Sequence, residues 1–130
     1  MTISRQGSYT YGNDDSLFAA NGVAAIPADG YTLASGLTGA LLRGFPLKQG
    51  ATAFELTPVT ADADVVVAIL AEDVANAAKI LPIVAYQGGE FNKYAITRAL
   101  TAASSAANVA GLTVKARVNG IFFKDVVKGV

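Results

Sequence analysis

Apolar positions along the chain change their rhythm from one end to the other. Between residues 17 and 74, short apolar runs alternate with turn-forming residues: 23–26 before Pro27-Ala28-Asp29-Gly30, then 31–33, 40–42, 45–47 before Lys48-Gln49-Gly50, 53–59 and 65–70. Runs this short, broken at regular intervals by such residues, predict strands joined by turns. Val65-Val66-Val67-Ala68-Ile69-Leu70 is apolar at every position and rich in β-branched residues, which predicts a central strand covered on both faces. The stretch 79–97 predicts a hairpin, with Ile83-Val84-Ala85-Tyr86 and residues 91–96 flanking Gln87-Gly88-Gly89-Glu90, where paired glycines supply positive φ. Pro82 has no N–H to give a ladder and belongs at a strand start or an edge.

The rhythm lengthens over residues 99–119. This stretch is alanine-rich, offers Ser104 or Ser105 as a cap, puts Val109, Leu112 and Ala116 on one face, and stops at Asn119-Gly120, all of which predict a helix. Gly111 and Thr113-Val114 interrupt it, so its first half is equally open to a loop. Ile121-Phe122-Phe123-Lys124-Asp125-Val126-Val127 predicts a closing strand. The first fifteen residues are mostly Ser, Gln, Gly, Thr, Asn and Asp, with Ile3, Tyr9 and Tyr11 as their main apolar content. Ordering a backbone costs about 1–2 kcal/mol per residue, which so little apolar area does not offset. The expected organisation is a flexible N-terminal arm over residues 1–16, then one mainly β domain over 17–130 with a short C-terminal helix.

Composition narrows the chemistry. A chain of 130 residues with no His and no Cys lacks the groups most used for catalysis near neutral pH, and lacks nearly all zinc, haem and iron-sulfur ligand sets. No enzyme activity and no cofactor or metal are expected. Ten basic residues balance ten acidic ones and only 15% of residues are charged, leaving no cationic surplus for a phosphate backbone, so nucleic acid is not expected as a partner. No segment approaches the ~20 apolar residues of a membrane span, and the first residues lack the pattern of a signal peptide; a soluble, non-exported protein is expected. Low charge combined with 52% hydrophobic residues predicts self-association.

Individual motifs read mainly as structure. Asp62-Ala63-Asp64 has the oxygen ligands of a hard-cation site but no third ligand at a calcium-loop spacing, and is expected to be a solvated turn. Glu72 and Asp73 are neighbours that face opposite ways on an extended strand, so a turn or strand-end role is expected rather than an acid and base pair. Gly36-Leu37-Thr38-Gly39 and Gln87-Gly88-Gly89 lack the order of phosphate or dinucleotide loops and are expected to be turns. Tyr9 and Tyr11 are two apart, on one side of an extended arm, placed to enter shallow pockets while the backbone adds to a partner's sheet; the alternative is an incidental pair in a polar tail. Phe91, Phe122 and Phe123 are expected in core and intersubunit packing.

Four blocks, taken in order, resemble a known family. Leu42-Arg43-Gly44-Phe45-Pro46-Leu47 is similar to an early basic-Gly-apolar strand, and Val67-Ala68-Ile69-Leu70-Ala71-Glu72-Asp73 to an apolar strand ending in small and acidic residues. Val84-Ala85-Tyr86-Gln87-Gly88-Gly89-Glu90-Phe91-Asn92 and Ala116-Arg117-Val118-Asn119-Gly120-Ile121-Phe122-Phe123-Lys124-Asp125-Val126 follow at matching places. The chain thus resembles the head decoration proteins of tailed bacteriophages, the family of the lambda capsid-stabilising protein. Ala68 stands where relatives commonly have glycine, the stretch 99–110 looks like added material, and residues 1–39 agree only in kind. The resemblance implies a β-clip-like, small mixed α+β body that forms a homotrimer on the outer surface of the virion head after synthesis in the host bacterial cytoplasm. Its partner would be the major capsid protein, bound through the arm residues Ile3, Tyr9 and Tyr11, with no nucleic acid and no membrane. Other expectations are a head fibre base, a tail adaptor, or a trimeric enzyme of the dUTPase kind, which shares the β-clip fold.

Overall fold

The computed structural model describes residues 17–18, 26–33, 39–75 and 81–125. Elements follow in the order β1 (Ile26–Leu33), β2 (Pro46–Gln49), β3 (Glu55–Pro58), β4 (Ala68–Leu70), β5 (Leu81–Asn92), α1 (Lys93–Ala102), α2 (Val109–Val118) and β6 (Ile121–Lys124). The sheet order β1-β3-β2-β4-β5 closes through a second pairing of β5 with β1, giving a five-stranded barrel. Its β1–β3 contact is parallel and the other four are antiparallel. β6 lies outside this ring, parallel to the last four residues of β5. The body is therefore mainly β, as the short apolar runs predicted, with two helices.

Strand burial follows the pleat. Leu56 and Pro58 of β3 are buried while Glu55 and Thr57 are half-covered, and Ile121 and Phe123 of β6 point inward while Phe122 and Lys124 point out. All three residues of β4 are buried, so the central position predicted for this segment holds. The strand is shorter than its apolar run: Val66 is buried ahead of it and Val65 is exposed. The core continues through Leu33, Phe45, Leu47, Ile69, Phe91, Ile96 and Leu112, each at most 1% exposed.

Three expectations are corrected. The stretch 79–97 is no hairpin: its described part is one twelve-residue strand running straight into α1. Gly88 and Gly89 mark where β5 changes partners, since Tyr86 pairs with Pro27 and Ile69, whereas Gly89 pairs with Ile121. Gly89 has φ 138°, so the glycine's freedom bends a strand instead of reversing it. Likewise Asp29-Gly30 makes no turn but a bulge inside β1, two residues against one of β5 between the pairs Ala28 with Ala85 and Tyr31 with Ile83, with φ 83° at Gly30.

The predicted single C-terminal helix is two ten-residue helices. α1 starts earlier, where the Asn92 side chain accepts from the Tyr94 N–H, and buries Ala95, Ile96, Ala99 and Leu100. The break falls at Ser104, whose φ of 54° no helix accommodates. Asn108 then caps α2 by accepting from the Gly111 N–H, so both caps are Asn rather than the expected Ser.

Gly111 has a reason to interrupt a helix. The Asp62 carboxylate accepts from the Asn108 N–H at 2.8 Å and its Nδ2 at 3.2 Å, lying against the start of α2. A Cβ at residue 111 would come within 2.4 Å of Asp62 Cγ. Gly111→Ala gains about 1 kcal/mol of helix propensity but must displace this clamp, at a cost of about 1–3 kcal/mol. The urea midpoint is expected to fall; a rise would show that the clamp yields freely.

Candidate functional site

Around the turn before β2, side chains converge from four parts of the chain. Gly44, at φ 103°, lets the backbone turn tightly: a Cβ there would meet Leu17 Cδ1 at 2.9 Å. Arg43 donates its backbone N–H to Asp73 Oδ1 at 2.7 Å, its Nε to the Ala71 carbonyl at 2.8 Å and its Nη2 to the Tyr86 hydroxyl at 3.2 Å. Its guanidinium lies 5.5 Å from the Phe18 ring centre and 5.9 Å from that of Tyr86, within cation–π range. Phe18 in turn packs against Tyr86 at 5.2 Å and Phe91 at 5.7 Å. Arg43 thus ties the exit of β4 to β5. The expected strand-end role of Asp73 holds through this bond.

Beside Arg43 opens a cleft of about 220 Å³, lined by Leu17, Leu42, Arg43, Asp73, Ala95 and Arg98. Leu17 and Ala95 are its buried apolar floor, while Arg98 stands exposed on α1. Its charged lining is two guanidinium groups and one carboxylate.

The acidic pair Asp62 and Asp64 splits between two jobs. Asp62 clamps α2, whereas Asp64 Oδ2 accepts from the Thr60 N–H at 2.7 Å and the Ala61 N–H at 3.1 Å, and pairs with Lys48 Nζ at 3.1 Å. Burial pushes the Asp64 carboxyl up, but the Thr60 N–H, the Lys48 ammonium and the Ala61 N–H together hold it below its ordinary value. A carboxyl depressed by folding adds stability that is present above its unfolded pKa of about 3.9 and is lost as pH falls through its folded value. Asp64→Asn is expected to remove this part of the acid sensitivity, flattening the urea midpoint below about pH 4. An unchanged acid limb would place the sensitivity in other carboxyls.

Among the described residues no cluster of three or more His, Cys, Asp or Glu is placed to hold a metal, and no helix is long and apolar enough to cross a membrane.

Apolar side chains left uncovered are more distinctive. Phe54, between β2 and β3, is 68% exposed. Its loop is braced: Gln49 Nε2 donates to the Thr52 carbonyl at 2.6 Å and to the Glu55 carbonyl at 3.2 Å, and the Ala51 N–H donates to Glu55 Oε1 at 2.7 Å. The Gly50 N–H donates to the Glu55 carbonyl at 2.8 Å, and the Phe54 carbonyl accepts from the Thr32 N–H at 2.9 Å. On α2, Val114 and Val118 lie one turn apart on the face opposite buried Leu112 and Ala116, and Val118 is 82% exposed. Tyr94 on α1 is also exposed.

Of the residues singled out from sequence, Phe91 and Phe123 lie in the core. Phe122 does not: at 37% exposure it faces outward from β6, because strand alternation sends it opposite to Ile121 and Phe123. Ile3, Tyr9 and Tyr11 lie outside the described residues. Phe54 and Arg98 were not singled out; the signal for Phe54 was an aromatic in the run 53–59 that follows the turn-forming Lys48-Gln49-Gly50. Val114 and Val118 share a spacing of four, legible once the helix boundary is known.

Comparison of the chain with protein-family models, with curated proteins and with solved structures finds no match.

Proposed function

We propose that the protein is a phage capsid decoration protein that binds as a homotrimer to the major capsid protein, at threefold and quasi-threefold sites of the expanded head, and stabilises the shell against packaged DNA. The observation that carries this reading is the location of the four resembling blocks. The first leads into β2, the second contains β4, the third makes up most of β5, and the fourth contains the end of α2 and β6. β2, β4, β5 and β6 are successive neighbours in the sheet. The resembling segments therefore form one continuous part of the body, which scattered chance likenesses have no reason to do. Exposed Phe54, Val114, Val118 and Phe122 add the uncovered apolar surface expected of a protein that works by contact.

The finer assignments belong to the same reading: a β-clip-type body over residues 17–130, a capsid-binding arm over residues 1–16 that uses Ile3, Tyr9 and Tyr11, and a place on the outer surface of the head. Labelled protein is expected in threefold clusters on the heads of virions. Label confined to a fibre base or the tail would overturn the cement role. A dUTPase-like enzyme needs an acidic metal cluster and glycine-rich phosphate loops. Four described carboxylates instead brace the chain, with Asp62 on α2, Asp64 on Lys48, Asp73 on Arg43, and Glu90 on Lys124 at 2.9 Å. Turnover of dUTP with magnesium would revive that alternative.

A further inference from the structure

We propose that Asn119 is a modification site at which the chain deamidates onto Gly120, and that docking of the end of α2 on the segment before β4 holds the reaction off in the folded protein. The sequence contains two Asn-Gly steps, 21–22 and 119–120, of which the second lies among the described residues. Asn119 is the C-cap of α2, and Gly120, at φ 75°, makes the left-handed turn that leads into β6. That conformation strains any residue with a Cβ, so the fold calls for glycine there. The same missing Cβ leaves the Gly120 nitrogen unshielded beside the Asn119 carboxamide. Both residues are exposed, so water reaches the step.

In the reaction the Gly120 nitrogen gives its proton to solvent and forms a bond to Asn119 Cγ. The bond from Cγ to Nδ2 breaks, and Nδ2 leaves as ammonia with a proton taken from water. Water then adds to either carbonyl of the cyclic imide and opens it to an aspartyl or isoaspartyl residue, with no oxidant or other co-reactant. Folding restrains both partners. Asn119 Nδ2 donates to the Val66 carbonyl at 2.9 Å, which pins the carboxamide to a fully buried residue. The Gly120 N–H donates to the Arg117 carbonyl at 3.0 Å, which holds the proton that has to leave. Cyclisation therefore waits until the end of α2 opens. The product cannot close in the same way. A carboxylate has no proton to give the Val66 carbonyl, and its charge falls at the negative end of the α2 dipole. The isoaspartyl form adds a methylene to the main chain beside the Gly120 carbonyl, which accepts from the Gly89 N–H at 3.0 Å and starts the pairing of β6 with β5.

Incubation of the full chain near neutral pH, followed by trypsin digestion and mass spectrometry of the Val118–Lys124 peptide, tests the site. That peptide carries Asn119 and separates it from the Asn-Gly step at 21–22. Asn119 is expected to convert at least about 10-fold more slowly in the folded chain than in the free Val118–Lys124 peptide or in the chain unfolded in urea, because reaction is confined to the open fraction. Hydrogen exchange at the Gly120 amide of the unchanged chain should be slowed at least as much, since the same opening exposes it. Asn119→Asp, the direct product, should lower the melting temperature by about 3 °C or more and speed exchange at the Gly89 and Gly120 amides. A folded chain that converts as fast as the free peptide, an unfolded chain that does not convert at residue 119, or an Asn119→Asp chain as stable as the original would each overturn the proposal. The exchange and conversion rates of the unchanged chain decide it even where the variant does not fold.

Discussion

Phe91→Ala is expected to cost about 3–5 kcal/mol, a large part of the 5–15 kcal/mol that holds a typical domain together. Phe91 is fully buried in β5 and paired in register with Phe123 of β6 on one side and Phe18 on the other. Its ring lies 6.0 Å from that of Tyr86 and 5.7 Å from that of Phe18. Truncation leaves a cavity where β5 leaves the barrel, and it loosens Phe18 and Tyr86, the two rings on which Arg43 rests. The melting temperature should fall by about 10 °C or more, measured by calorimetry. Phe122→Ala, one register position from the Phe91 partner but facing outward, should cost less than about 1 kcal/mol in the dissociated chain. Equal losses at the two sites would contradict the burial assigned to β6.

Removing residues 2–15 is expected to reduce shell attachment at least about 100-fold while leaving a folded oligomer. In the proposed reading three arms bind at once. Each later contact is then made at an effective concentration in the millimolar range, and the loss of all three removes that multiplication. The segment contributes Ile3, Tyr9 and Tyr11 as its main apolar side chains, whereas the described core begins at Leu17. The truncated chain should therefore keep its unfolding midpoint and sedimentation coefficient. Quantitative attachment of truncated protein to expanded shells would show that the body alone makes the contact.

Strand positions with strong local pattern were legible from sequence, and positions that depend on distant partners were not. The apolar run at 65–70 announced a doubly covered strand, and Ile121-Phe122-Phe123-Lys124 announced β6, because burial there follows directly from side-chain type. Gly88-Gly89 misled because a glycine pair permits a turn and a bend alike. What decides between them is β6, which comes about thirty residues later and takes over the pairing of β5. α1 was hidden for a related reason: Asn92 is both the last residue of β5 and the cap of α1, and the pattern Ala95, Ile96, Ala99, Leu100 begins at once. Read with Asn92 as a cap, that spacing is helical, and the alanine-rich stretch after it breaks at Ser104 and restarts from the Asn108 cap. Of the cleft, Leu42, Arg43, Asp73 and Ala95 fell within segments that sequence singled out, whereas Arg98 fell in none. Arg98 became relevant through the way α1 packs over the turn before β2.

Cosedimentation of the purified protein with undecorated phage heads, expanded and unexpanded, tests the central claim most directly. A cement protein whose acceptor surface forms on expansion should saturate the expanded shells, at a ratio of one trimer per threefold or quasi-threefold site, and leave the unexpanded shells bare. A folded oligomer that pellets with neither form would contradict the decoration role.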